Sequence, residues 1–404
     1  MEFAWNEHDA AFRDEVRRFL DDRLSPDMRA AAAKMTSVYA HPDLSLAWQK
    51  ILHARGWVAP AWPKEFGGCG FSLTERYIFA SEFAEAGAPP LSPMGLGMCG
   101  PILIARGTDA QRARFLPPML GGDEFWCQGY SEPAAGSDLA ALAMSGRDAG
   151  EDFVCDGQKI WTTHANFADW IFCLVRTSAE DIPQKGITFL LIDMKSPGIE
   201  VGPIVSLTGE HIQNQVFFSG VRVPKANVVG EVGQGWTVAK HLMQFERGGS
   251  VTAPAMKVRL RRLQALIAAL DGAEARDLAL AAAGLGVELA ALEWTELRVM
   301  SRRSRGAAPG PESSLLKLVA TELSQRIAEA TLAAAGIWSA PYQPHATAPG
   351  GPTPGFIPPN DGFAAGPPET RSAAGKYFND RAGSIYAGSS EIQKNIMAKA
   401  VLGL

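Results

Sequence analysis

Residues 234–250, Gln-Gly-Trp-Thr-Val-Ala-Lys-His-Leu-Met-Gln-Phe-Glu-Arg-Gly-Gly-Ser, mark where the chain changes its period. Ahead of them stand the runs Trp-Ile-Phe-Cys-Leu-Val at 170–175, Ile-Thr-Phe-Leu-Leu-Ile at 187–192 and Val-Phe-Phe at 216–218. Glycines, prolines and polar turns separate these β-branched and aromatic runs, which read as strands. From Gln234 on the pattern is helical. Ala239, Leu242, Met243 and Ser250 share one arc with Glu246, while Lys240, Gln244 and Arg247 take a separate polar stripe. An ionised carboxylate on an apolar arc costs several kcal/mol unless it is paired, so Glu246 has a partner or a task. Gly248 and Gly249 follow it, each costing about 1 kcal/mol in a helix interior, and the usual reason to tolerate them is close approach of a ligand or another backbone. Burial raises a carboxyl pKa toward neutrality, as a general base requires. The plainer explanation of the same residue is a Glu satisfied by Arg247 or a neighbouring helix.

Working outward, residues 1–124 read helically, with Phe12, Val16, Phe19 and Leu20 at helical spacing and one Trp/Pro/Gly-rich loop at 56–68. Residues 125–233 form a β domain. Residues 234–404 return to helix, and Leu316, Val319, Leu323 and Ile327 keep one face apolar as a bundle helix does. A Pro/Gly-rich insertion at 341–372 interrupts this part, with nine prolines and five glycines between 341 and 368. It cannot continue a helix and is expected to be an extended surface excursion. The class is α+β.

The 404 residues suffice for a large core in two or three domains. A net charge of -5 without a Lys/Arg cluster argues against nucleic acid, and no apolar run is expected to span a membrane. The opening Met1-Glu2-Phe3-Ala4-Trp5 lacks the blocks of a signal peptide, which makes a cytoplasmic protein the expectation. Five cysteines without a CxxC and seven scattered histidines predict neither a disulfide framework nor a metal site.

Three stretches carry chemistry. In Gln128-Gly129-Tyr130-Ser131-Glu132-Pro133-Ala134-Ala135-Gly136-Ser137-Asp138, small residues let backbone approach a flat ligand, and Ser131 and Ser137 offer hydroxyls. In Lys159-Ile160-Trp161-Thr162-Thr163, a Trp beside two hydroxyls suits a ring system with hydrogen-bonding edges. In Ile385-Tyr386-Ala387-Gly388-Ser389-Ser390-Glu391-Ile392-Gln393, Ser390 and Gln393 have capping-box spacing, and a helix N-terminus so built can hold an anion or a ligand edge. Each stretch taken alone is also a common turn, core Trp or structural cap.

In this order, together with the 56–68 loop and the run 221–236, these segments resemble the acyl-CoA dehydrogenase family from end to end. The resemblance implies a helical N-terminal domain, a central β domain and a C-terminal four-helix bundle, with FAD between the β domain and the bundles of two subunits. It implies that Gln128, Tyr130, Ser131, Ser137, Trp161 and Thr163 lie against the flavin, and Ser389 and Glu391 against the rest of the cofactor. The implied reaction is α,β-dehydrogenation of an acyl-CoA, a carboxylate taking the α-proton while the β-hydrogen leaves as hydride to flavin N5. An electron-transfer flavoprotein is the implied acceptor.

The chain departs from the commoner family pattern at three places. Where many members carry their base in a terminal Tyr-Glu-Gly, this chain has Tyr386-Ala387-Gly388. A minority supplies it from a Glu-Arg pair that aligns with Glu246-Arg247, Arg247 orienting or stabilising the charge. The Arg-x-x-Phe-Gly grip on a neighbour's cofactor is absent around Arg298-Val299-Met300-Ser301-Arg302, and Gln-x-x-Gly-Gly is replaced by residues 332–338. This combination resembles the larger subunits of heteromeric (α2β2) dehydrogenases of steroid side chains and dicarboxylic acids, which implies a second, paralogous subunit. The alternatives are a non-catalytic assembly subunit and an oxygen-using acyl-CoA oxidase.

Overall fold

The computed structural model describes residues 5–247, 251–308 and 310–404, with the side chains of 243–247 outside that description. The assignments made to Met243, Gln244, Glu246 and Arg247 as side chains, and to Gly248, Gly249 and Ser250, therefore lie outside the described residues. In chain order the elements open with α1 (Glu7–Arg23), α2 (Pro26–Ala33), α3 (Pro42–Arg55), α4 (Leu73–Ala86), α5 (Gly100–Arg106) and α6 (Asp109–Gly121). Strands β1 (Trp126–Gly129), β2 (Ser145–Ala149), β3 (Asp152–Thr163), β4 (Trp170–Arg176), β5 (Ile187–Asp193), β6 (Ile199–Val205) and β7 (His211–Pro224) follow. The chain ends with α7 (Gly235–Arg247), α8 (Ala253–Ala268), α9 (Gly272–Ser304), α10 (Glu312–Ala335), α11 (Ala373–Asp380) and α12 (Ser390–Met397).

These elements gather into two units. The first holds Met1–Leu44, Phe71–Pro90 and Arg247–Leu404. Its core joins Leu260, Leu263 and Ile267 of α8 with Leu285, Leu289 and Leu292 of α9 and Leu323 and Ile327 of α10, Leu316 and Val319 packing at its margin. Helix α1 starts at Asn6, whose side chain accepts from Asp9 N–H at 2.8 Å, and buries the Phe12, Val16 and Leu20 stripe. Arg17 on its other side donates to both oxygens of Glu82, at 2.8 and 3.1 Å.

Two expectations change in this unit. The segment after α10 is no extended excursion: Gln343 and Ala365 exchange hydrogen bonds of 3.0 and 2.8 Å, Arg371 donates to the carbonyls of Ala364 and Gly366, and Tyr342 and His345 pack on Phe356. Backbone that cannot pair within a helix or sheet is satisfied by side-chain amide and guanidinium groups instead. Among the described residues α9 is also long and apolar enough to cross a membrane, which the sequence did not lead us to expect. Its leucine stripe enters the bundle core, while Leu280 and Val287 on another face stay exposed.

The second unit holds Ser45–Gly70 and Leu91–Glu246. A seven-stranded sheet runs β1-β4-β2-β3-β7-β6, with β5 paired to β4. Strands β1 and β4 are parallel; the remaining long ladders, β2·β3, β3·β7, β4·β5 and β6·β7, are antiparallel. Strands β4 and β5 are buried along nearly their whole length, as continuous apolar runs require. Strand β7 instead alternates, burying Ile212, Asn214, Val216 and Phe218. Near its end Val221 opposes Cys155 and Phe218 opposes Gly157, so β7 carries one extra residue and both apolar side chains face inward. The 56–68 loop is pinned by Trp62, whose indole N–H donates to Leu96 O at 2.8 Å. A Cβ on Gly100 would sit 2.0 Å from that ring, which is why the position carries none.

Candidate functional site

A second bulge sets up the site, on β3. Lys159 opposes Val216 and Thr162 opposes Asn214, so β3 has one residue more than β7 between these pairs. The extra residue lets Lys159 and Thr162 both point inward, fully buried, and throws Trp161 outward, where its side chain is 60% exposed. Trp161 adopts φ 60° and His164 φ 56°, a region that costs a non-glycine residue about 1–3 kcal/mol and persists only where the surroundings over-determine it. On the β7 side Asn214 Nδ2 donates to Thr162 O at 3.0 Å, and His211 Nε2 lies 2.6 Å from Asn214 Oδ1.

On the other side stands a buried ion pair. Lys159 Nζ donates to Glu132 Oε1 at 2.7 Å, to Leu174 O at 2.7 Å and to Tyr130 O at 3.3 Å. Glu132 also accepts from the N–H groups of Ala143 at 2.6 Å and Met144 at 3.0 Å. Both charges are thus hydrogen-bonded as well as paired, the condition under which burial is tolerated. The pair ties the 130–144 loop to β3 and β4. Ile160 N–H donates to Ser131 O at 2.9 Å, which brings Tyr130 and Ser131 beside the Trp161 bulge. The motifs that contain Lys159 and Glu132 assign neither a role; the signal available in the sequence is a lysine in a strand that otherwise carries apolar residues.

Around this frame Gln128 is half-buried at the end of β1, and Tyr130 stands edge-on to Phe172 and Phe189. Ser131 is half-buried, Thr163 buried and Ser137 exposed further along the loop. Thr162 Oγ1 is buried without a partner among the described residues. An outward indole on over-determined backbone, beside hydroxyls and a loop of small residues, suits a flat heteroaromatic ring such as a flavin.

In the first unit, α12 begins one residue earlier than the capping-box spacing predicts. Ser389, not Ser390, is the N-cap, its Oγ accepting from Ile392 N–H at 3.4 Å. Ala387 and Gly388 both take positive φ, 53° and 80°, and that turn moves the helix start. Ser390 is buried with its hydroxyl unpartnered among the described residues, and Gln393 Nε2 reaches back to the carbonyls of Ala387 and Gly388 at 3.1 and 3.2 Å. Glu391 stands exposed in the first turn, and its backbone N–H and the Ser389 hydroxyl hold its carboxyl below the usual range. Ser389 and Glu391 therefore share one helix N-terminus. Elsewhere in this unit Arg302 is engaged by Glu312.

Family models described as acyl-CoA dehydrogenase N-terminal, middle and C-terminal domains match residues 6–123, 127–221 and 233–402. The chain is 35% identical over 402 residues to the acyl-CoA dehydrogenase IpdE1 of Mycobacterium tuberculosis, with 97% of each chain covered. To IpdE1 of Mycolicibacterium smegmatis it is 34% identical over 412 residues, again with 97% of each covered. Among solved structures, the Tcur3481-Tcur3483 steroid ACAD superposes with a TM-score of 0.79 at 26% identity, over 100% of this chain and 99% of that one. The ChsE4-ChsE5 complex from Mycobacterium tuberculosis gives the same TM-score of 0.79 and 26% identity, over 100% and 99% of the two chains.

Proposed function

The chain belongs to the acyl-CoA dehydrogenase family, and from that premise we propose that it dehydrogenates a bulky acyl-CoA with Glu246 as general base and FAD as cofactor. The observation that carries the cofactor assignment is the Trp161 bulge, whose exposed indole is held in strained backbone by Glu132–Lys159 on one side and Asn214 on the other. Gln128, Tyr130, Ser131, Ser137, Trp161 and Thr163 hold the ring system, and Ser389 and Glu391 serve the rest of the cofactor. When bound, FAD supplies the acceptor for the β-hydrogen.

The chain's own part is proton transfer and placement. An α-proton beside a thioester is weakly acidic, so a base of raised pKa must take it while hydrogen bonds steady the developing enolate oxygen. Glu246 is assigned that proton and Arg247 the stabilisation of its charge. Support comes from α7, which buries Val238, Ala239 and Leu242 on the arc that Glu246 continues, and from Ala387, which has no proton-accepting group where other family members carry Glu. A steroid-sized acyl group is favoured by the name of the steroid ACAD neighbour, and an electron-transfer flavoprotein is taken as acceptor in preference to oxygen.

The working form is taken to be a heteromer with a paralogous chain. Both solved neighbours are named as pairs of chains, Arg302 is engaged by Glu312 rather than available to grip a cofactor, and α9 leaves Leu280 and Val287 exposed. Native mass measurement and flavin quantitation, with and without a co-expressed paralogue, test this. A yellow complex with a single FAD for each pair of chains is expected. A stable, active homotetramer with FAD in every chain contradicts the heteromer, and an assembly that takes up no FAD contradicts the enzyme.

A further inference from the structure

Thr162 of β3 stands opposite Asn214 of β7 where the chain leaves the sheet for the short turn Ala165–Phe167. Asn214 is fully buried, and its Nδ2 donates to Thr162 O at 3.0 Å, to Asn166 Oδ1 at 3.2 Å and to Ile212 O at 3.4 Å. Two of these are backbone carbonyls, which only accept, so the amide can face one way alone. Its Oδ1 is left for His211, whose Nε2 at 2.6 Å therefore carries a proton and donates. Backbone completes the clasp, His164 N–H donating to Ile212 O at 2.7 Å.

A buried carbonyl is satisfied by one donor. Asn214 does more, because it joins Thr162 and Asn166 across the residues between them and holds both to β7. The stretch 161–166 contains Trp161 and His164, both non-glycine residues at positive φ. Such backbone relaxes wherever its surroundings stop over-determining it. The Trp161 indole is exposed, so its own packing does little to hold that shape. On the β7 side the hold runs through one side-chain amide and through the histidine that orients it.

We propose that Asn214 and His211 are positioning residues for the cofactor: His211 orients the Asn214 amide, and that amide keeps the Trp161–Asn166 turn in the shape that receives the ring before the ring arrives. This rests on the flavin reading of the Trp161 bulge. Its physical content is preorganisation. Strain held by the folded chain is met during folding, so none of the cofactor's binding energy goes into forming the turn. Where only a fraction of the molecules hold the turn, apparent affinity falls by that fraction. Thr163, also assigned to the ring, lies inside the clasped stretch and is placed by it.

The test is FAD titration of the assembled protein stripped of flavin, together with hydrogen exchange over residues 160–167 in the flavin-free state. Asn214→Ala is expected to weaken FAD binding by roughly 10- to 100-fold, and to speed exchange of the His164 amide by a similar factor. Wild type is expected to protect that amide with or without FAD. His211→Leu, which removes the donor to Asn214 Oδ1 at a half-buried position, is expected to weaken FAD binding by about 5-fold. His211→Gln keeps an N–H and is expected to restore most of that loss. FAD affinity at the wild-type level in Asn214→Ala, with only melting temperature lowered, confines Asn214 to stability and overturns the inference while leaving the flavin reading intact. If Asn214→Ala does not fold, His211→Leu decides the matter, and wild-type affinity in that variant overturns the inference. Wild-type protein that takes up no FAD overturns the cofactor reading and this inference with it.

Discussion

The Trp161 bulge of β3 and the start of α8 are both held by buried charge, and by opposite electrostatic means. In the β unit the Trp161 bulge is flanked by an ion pair, Lys159 meeting Glu132 at 2.7 Å while Lys159 also donates to Leu174 O and Glu132 accepts from Ala143 N–H. In the helical unit the start of α8 hangs on Glu296 of α9, a buried carboxylate that accepts from the Thr252 N–H and hydroxyl and from Ala253 N–H and has, among the described residues, no ion-pair partner. A paired charge fixes geometry through the position of its partner. A carboxylate held by neutral donors alone keeps the cost of its burial, and that cost raises the Glu296 carboxyl above its usual range.

The largest effect separating the two is expected at the ion pair. Lys159→Met leaves Glu132 buried and unpaired, a change that costs about 3–5 kcal/mol, and urea unfolding should record it together with loss of bound flavin. A cost under about 1 kcal/mol would place the pair among interactions that water can replace. Glu296→Gln is expected to cost far less, at most about 1 kcal/mol, because the amide keeps an acceptor for Thr252 while the buried charge disappears; a loss as large as that of Lys159→Met would erase the contrast.

The smallest effect is on pH dependence. Because the Glu296 carboxyl lies above its ordinary 4.5, the folded chain binds that proton more tightly than the unfolded one. Its stabilising contribution is complete below about 4.5 and is lost as pH rises through the folded-state value. Wild type should therefore lose stability relative to Glu296→Gln as pH is raised above that point. Parallel stability curves for the two would show that Glu296 does not titrate separately from the unfolded chain.

Much of this architecture was legible in one dimension because the signals are local. The apolar runs at 170–175 and 187–192 became β4 and β5, and the Phe12, Val16, Leu20 spacing became the buried face of α1. Features that depend on a distant partner were not. The Trp161 bulge exists only in the register between β3 and β7, and Thr252 meets Glu296 across 44 residues. The cap of α12 was misplaced by one because Ser389 and Ser390 are equivalent in sequence, and only the positive φ angles of Ala387 and Gly388 choose between them. The closure of the Pro/Gly-rich insertion is hidden for the same reason, since Gln343 pairs with the backbone of Ala365, 22 residues away.

The most direct measurement of the central claim is the rate at which acyl-CoA bleaches the flavin of the assembled enzyme under anaerobic conditions, compared between wild type and Glu246→Gln. Substitution by Gln keeps shape and removes proton affinity, so bleaching should slow by about 10²–10⁴-fold while FAD remains bound in full. Bleaching at the wild-type rate would contradict Glu246 as the base and place proton abstraction elsewhere in the molecule.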